Sequence, residues 1–217
     1  KKDWAASIWF KGSTPRNAFH MWISHLDRLP TRTRLLAWGL PVSPLCCLCS
    51  GAPETRDHLL LGCSFSKALW SSVQSRLRLH SLIFLNWAEL LLWIRRSSTS
   101  ALSTLRKLVA HSVVYATWKQ RNNMLHNSHH LDPASVFKII DRKIINSINA
   151  RRHKKKFRNL ISFWLIQCFF LKIVYFLVFY LNFCQKTNYL EVLIVIPNSF
   201  ILYNIYRLSK KKKNTTF

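Results

Sequence analysis

Within eighteen residues this chain carries Cys46, Cys49, His58 and Cys63, spaced C-x2-C-x8-H-x4-C. Three thiolates and one imidazole fill the tetrahedral shell of a zinc ion and leave no position open for a substrate water, which is the pattern of a structural site. The two residues between Cys46 and Cys49 allow a turn tight enough to aim both sulfurs at one ion. Between Cys49 and His58 lie Gly51, Pro53, Glu54 and Asp57, turn-forming residues that let the loop fold back over the metal. Cys47, inside the C-x-x-C, is expected to point away. Other fates exist for such cysteines: buried thiols, a disulfide, or a thioredoxin-like redox pair. A disulfide framework is not expected, because no secretory leader is visible and the basic composition suits a reducing compartment. A redox pair calls for a βαβ setting that the sequence does not show.

Charge is the second constraint. The 217 residues carry 33 Lys and Arg against 8 Asp and Glu, a formal net charge of +25. Such an excess goes well beyond solubility and points to an anionic partner, either nucleic acid or an anionic membrane face. A translated fragment that happens to be basic is the plain alternative. Because the first residue is Lys1, the chain is expected to be a fragment of a longer reading frame. Candidate phosphate contacts are Arg32 and Arg34 near the cysteine cluster, and Arg151, Arg152, Lys154, Lys155 and Lys156 in the densest basic run. That run reads equally as a solvated charged end or a nuclear-localisation patch.

With four glycines and little period-2 alternation, the sequence predicts a mostly α-helical fold. Residues 15 to 29 place Phe19, Trp22, Ile23, Leu26 and Leu29 at helical spacing, with Pro30 as the stop. Thr31 is the expected cap of a short helix through Trp38, with Gly39 just past its end. Ser64 is the expected cap of a helix whose stripe is Phe65, Leu69, Val73 and Leu77. A further helix over 101 to 125 shows Leu102, Leu105, Val109, Val113 and Ala116 on one face. Asp132-Pro133 opens another, with Val136, Ile140, Ile144 and Ile148 four apart. The tryptophans at 4, 9, 22, 38 and 70 are expected in the core, with stacking on unpaired bases as the alternative use.

The flanks of the cluster carry a resemblance. Trp9-Phe10-Lys11, Thr14-Pro15-Arg16, Phe19, Trp22, Leu26, Leu29-Pro30-Thr31 and Leu35 lead into Cys46, Leu48, Cys49, Glu54, Thr55, His58, Leu59, Cys63 and Trp70. This ordered pattern resembles the zinc-binding domain downstream of the reverse transcriptase in plant LINE-type (non-LTR) retroelements, over roughly residues 4 to 75. Cys47 departs from it, standing where the family often has proline. Trp118-Lys119-Gln120-Arg121-Asn122-Asn123 resembles the Trp-Lys-x-Arg-Asn segment that follows the domain. Ala150 to Arg158 resembles the basic end of related reading frames. The resemblance implies a zinc module, with Zn2+ on Cys46, Cys49, His58 and Cys63, that contacts RNA or DNA.

The resulting layout is a zinc-stapled helical module over 4–75, a helical region ending in a basic run over 76–158, and an apolar tail over 159–217. Within that tail, residues 160–183 are long and apolar enough for a membrane span despite Lys172 at the centre, although read-through of AT-rich non-coding sequence gives the same composition. A second apolar stretch, Leu190 to Tyr206, is interrupted by Glu191, Pro197 and Asn198, and Lys210 to Lys213 follow it. Cys168 and Cys184 stand alone in apolar sequence. A membrane-associated basic protein is thus the second class of function, with membrane localisation in place of nuclear or cytoplasmic, and a relic without function is the third. Polymerase and RNase H chemistry need clustered carboxylates to hold two metals, whereas the eight acids are scattered, so no enzymatic activity is expected.

Overall fold

The computed structural model describes residues 4–96 and 102–165. The expected membrane span beyond residue 165, the second apolar stretch, the lysine tail, Cys168 and Cys184 lie outside the described residues. Among the described residues up to 149, seven α-helices follow one another: α1 (Ala5–Ile8), α2 (Pro15–His25), α3 (Arg32–Ala37), α4 (Ser64–Arg76), α5 (Trp87–Arg95), α6 (Ser103–Asn127) and α7 (Pro133–Asn149). A π-helical turn, His58–Gly62, feeds α4, and a 3-10 turn spans Lys155–Phe157.

The long helix α6 is the hub. The sequence stripe predicts one buried face, yet α6 buries residues on nearly every side over its first five turns, from Leu105 to Arg121. Helices α2, α4, α5 and α7 all pack against it, leaving only a thin margin there, with Lys119 exposed and Lys107 and Tyr115 half-buried. Helix α7 needs only its isoleucine stripe. Val136, Ile140, Ile144 and Ile148 are all buried, and the Asp132 carboxylate caps the helix by accepting from the Ser135 N–H at 2.7 Å. The stripe of α4 is likewise buried from Phe65 to Leu77, although its N-cap is Cys63 rather than Ser64.

Helix α2 departs from expectation in length and face. It ends at His25, not at Pro30, because Asp27 takes a left-handed conformation (φ 51°). The Arg28 N–H then donates to the Ile23 carbonyl, and the Asp27 N–H to the Ser24 carbonyl, a Schellman closure. The same closure ends α3, with Gly39 (φ 83°) in the left-handed position the sequence assigns it. The buried residues of α2 are Ala18, Met21 and Ser24; the small Ala18 and Ser24 admit the neighbouring backbone closely, and Met21 fills the space between. Phe19 and Leu26 stay exposed, and Trp22 and Ile23 are half-buried. The tryptophans divide the same way. Trp70 is buried, donating its indole N–H to the Leu60 carbonyl at 2.8 Å, whereas Trp9 and Trp38 are 49% and 59% exposed.

Residues 160–165 are helical, and Leu160 and Trp164 are fully buried. The Trp164 indole N–H donates to Asp141 of α7 at 2.7 Å, and the Arg76 guanidinium lies over the same ring. The first turn and a half of the apolar stretch therefore completes a protein core. No helix among the described residues is long and apolar enough to cross a membrane.

Candidate metal centre

The cysteine loop is a narrow hairpin built on backbone bonds. The Cys46 N–H donates to the Ala52 carbonyl at 2.8 Å and the Ser50 N–H to the Cys46 carbonyl at 2.7 Å, while Leu45 and Pro53 form an isolated bridge. Ser50 sits at φ 53°, a left-handed turn that reverses the chain after Cys49 and returns it alongside Cys46. His58 opens the π turn, its N–H held by the Thr55 hydroxyl at 3.1 Å, and Cys63 closes that turn with its N–H on the His58 carbonyl at 2.6 Å. A π turn adds one residue to the helical circuit, and here it is the device that lets His58 and Cys63 face one point.

The four ligand atoms lie within 4.8 Å of one another. Cys46 Sγ and Cys63 Sγ are 3.9 Å apart, and Cys49 Sγ lies 3.2 Å from His58 Nε2. A zinc tetrahedron with bonds of about 2.3 Å to sulfur has edges of roughly 3.8 Å, so shifts of about 1 Å or less bring the cluster onto the ion. No other group of three or more His, Cys, Asp or Glu side chains converges in this way among the described residues. All four cysteines of the region are free thiols, which excludes a disulfide among them in this structure.

Cys46 and Cys63 share a proton. The S–H of Cys46 points at Cys63, which together with burial holds the Cys46 proton on tightly; accepting that bond lowers Cys63 below an ordinary thiol. Burial is also the main cause lowering His58, which keeps its imidazole neutral and able to donate a lone pair. Metal entry must displace the shared proton, so binding is coupled to proton release. Cys47 stands outside the set, as expected. Its Sγ turns to the Arg121 carbonyl at 3.8 Å, and burial, with the Glu54 carboxylate second, pushes its thiol up to about 12.

The polar support of the site is Glu54, which is fully buried. Its Oε1 accepts from the Arg32 N–H at the start of α3 (3.0 Å) and from Nε and Nη2 of Arg121 on α6 (3.0 and 2.7 Å), and its Oε2 accepts from the Cys47 N–H (3.3 Å). One carboxylate thus caps α3, props the cysteine turn and fastens both to the hub helix. Arg121 also donates to the Pro30 carbonyl and lies over the Trp118 ring. Sequence reading places Glu54 in the loop, where shaping it is the expected role, but does not reach its partner 67 positions away. The signal available was the Trp118 to Asn123 segment, which by itself assigns no contact.

The basic candidates separate into two kinds. Arg32 donates to the Leu45 carbonyl at 2.9 Å and so braces the metal loop, whereas Arg34 donates to the Asp27 carbonyl and covers the Trp38 ring, tying the end of α2 to α3. Arg151 is half-buried and donates back to Ser147 at 3.0 Å. Arg152, Lys154, Lys155 and Lys156 are exposed, anchored by Phe157, which is buried beneath Gly12.

A closed N/S tetrahedron joined to a helical hub defines the centre as a structural zinc module. Residues 1–70 match the family model described as zinc-binding in reverse transcriptase, and the four ligands all fall inside that span. No curated protein and no solved structure matches the chain.

Proposed function

We propose that this chain carries the zinc-binding segment of a LINE-type retroelement reverse transcriptase of plant type, and that it holds RNA or DNA without performing polymerase chemistry itself. The observation that carries the reading is the converged Cys46, Cys49, His58 and Cys63 cluster inside the span matched by the reverse-transcriptase zinc family. Exposed Arg152, Lys154, Lys155 and Lys156 supply the phosphate-neutralising surface, whose grip rests on counterion release and is independent of sequence. Five described carboxylates are engaged in the fold: Glu54 with Arg121, Asp57 with Arg56, Glu89 with the Leu85 N–H, Asp132 with its own helix cap and Asp141 with Arg76 and Trp164; Asp27, more exposed, lies 4.0 Å from Arg56. None of these pairs resembles the two-metal cradle that nucleotidyl transfer requires.

The test is nucleic-acid affinity across a salt series, with zinc content measured on the same protein. One zinc per chain and an affinity that falls steeply with salt support the reading. Unchanged affinity from low to high salt, or no binding at low salt, overturns it.

A further inference from the structure

Helix α2 turns a row of rings outward. Trp9 and Trp22 have centroids 6.2 Å apart, Trp22 and Phe19 5.9 Å, Phe19 and His20 6.0 Å, and His20 and Tyr115 of α6 5.0 Å. Five rings therefore run without a break from the end of α1, across α2, to the hub helix. Every neighbouring pair is tilted or edge-on, with interplanar angles from 52° to 80°, so no two rings are stacked face to face. Trp9 and Phe19 are each 49% exposed, and the others are half-buried, which gives the row both firm footing and open surface.

Cations border this row. Lys143 of α7 lies 5.3 Å above the Tyr115 ring. Arg16 is exposed on α2 one turn before His20, and burial first, with the Arg16 charge second, lowers the His20 pKa. At the other end, Phe157 packs so closely under Gly12 that a Cβ there has no room, setting the exposed basic run beside the loop that follows Trp9 and Phe10. Lys107 lies over the Phe10 ring on the same side. No carboxylate contact accompanies any of these rings among the described residues, since the acids are engaged elsewhere.

We propose that the Trp9–Trp22–Phe19–His20–Tyr115 row is a stacking platform for single-stranded nucleic acid, with the 152–158 run and Lys143 holding the backbone at its two ends. The proposal rests on the nucleic-acid reading above and makes it specific. Aromatic faces at successive intervals take unpaired bases of any sequence, whereas a paired duplex presents no free face to them. Cations without facing acids match the phosphate chain between those bases. A duplex would use the basic run alone.

The experiment uses the full chain, zinc-loaded, with fluorescein-labelled single-stranded RNA of about twelve nucleotides, the same sequence as single-stranded DNA, and the corresponding duplex. Trp9→Ala and Phe19→Ala remove half-exposed rings, and unchanged zinc content and circular dichroism verify the fold. The expected result is a loss of about tenfold or more in single-strand affinity per ring, an unchanged salt slope and unaltered duplex affinity. Phe19→Tyr is expected to retain binding. Single-strand affinity unchanged in both alanine variants, with salt-sensitive binding intact, overturns the platform and leaves the broader reading standing. Failure of the wild-type chain to bind any of the three probes overturns both. Loss of self-association in the variants, with single-strand affinity unchanged, assigns the face to a second copy of the chain and likewise overturns the platform.

Discussion

Two regions of this molecule are held together by different physics. From residue 32 to residue 58 only Cys46 and Glu54 are buried, and α3 buries none of its six residues. Helices α4 to α7, by contrast, bury leucine, isoleucine, valine and tryptophan in a continuous core. The first region cannot be held by the hydrophobic effect, because it removes almost no apolar side chain from water. Its order comes from a four-ligand centre, a hairpin of backbone bonds and one buried carboxylate. The second is held chiefly by buried apolar area, with a few polar bonds such as Trp164 to Asp141. A short segment poor in apolar residues can be as well defined as a packed helix when a few strong, directional interactions converge on it.

The largest effect should come from the metal. Chelation, or His58→Ala, is expected to strip amide protection from residues 32–63, since zinc binding contributes roughly 10–16 kcal/mol in comparable small sites. Protection of α6 and α7 should survive in hydrogen exchange. Global unfolding on chelation would erase the contrast between the two regions.

Next is the polar link between them. Arg121→Met leaves Glu54 buried and unpaired and should destabilise the fold by about 3–5 kcal/mol, read by denaturant melts. Combining it with Glu54→Gln should cost less than the sum of the two, because both report one interaction. Additive effects would show that the loop and the hub helix are not coupled through this pair. In the apolar region, Ile144→Ala should cost about 2–4 kcal/mol by leaving a cavity. The zinc content of that variant should match wild type, and reduced zinc occupancy would mean that the two regions share their stability.

The smallest effect sharpens the boundary. His111 is buried in α6, bonded to the Ser7 carbonyl at 3.0 Å and set against Phe10, and burial lowers its pKa to about 4. Its folded pKa lies below the unfolded value near 6.5, so its contribution is full above pH 6.5 and lost as pH falls towards 4. Between wild type and His111→Gln, acid melts should differ in pH dependence by about 2 kcal/mol at pH 5. Parallel pH profiles would show that His111 does not carry the acid sensitivity.

Much of the frame was legible because it rests on short-range rules. The spacing of Cys46, Cys49, His58 and Cys63 specifies a ligand set without reference to the rest of the fold. Asp132-Pro133 caps its helix locally, Gly39 ends α3 locally, and the Ile140 and Ile144 stripe needs only a neighbour of any kind. Helix α5 does not stand out in the sequence: Trp87, Leu90, Leu91, Trp93 and Ile94 follow the apolar run Leu82 to Leu85 with only Asn86 between, so no change of period marks where the helix begins.

What escaped the sequence depends on which surfaces meet. Apolar spacing in α2 favours Phe19, Trp22 and Ile23 as the core face, yet the close approach of α6 selects Ala18, Met21 and Ser24 and turns the rings outward. Leu160 and Trp164 read as the start of an apolar tail until α7 and Arg76 supply the partners that make them core. Glu54 and Arg121 are both ordinary charged residues in sequence, and only folding brings them together and removes their water. Ligand type, capping and periodicity are properties of neighbours along the chain, so the sequence determined the metal centre and most of the helices. Burial and ion pairing are properties of neighbours in space, so the tertiary structure alone decided which face is core, what braces the metal loop and where an aromatic surface is left open.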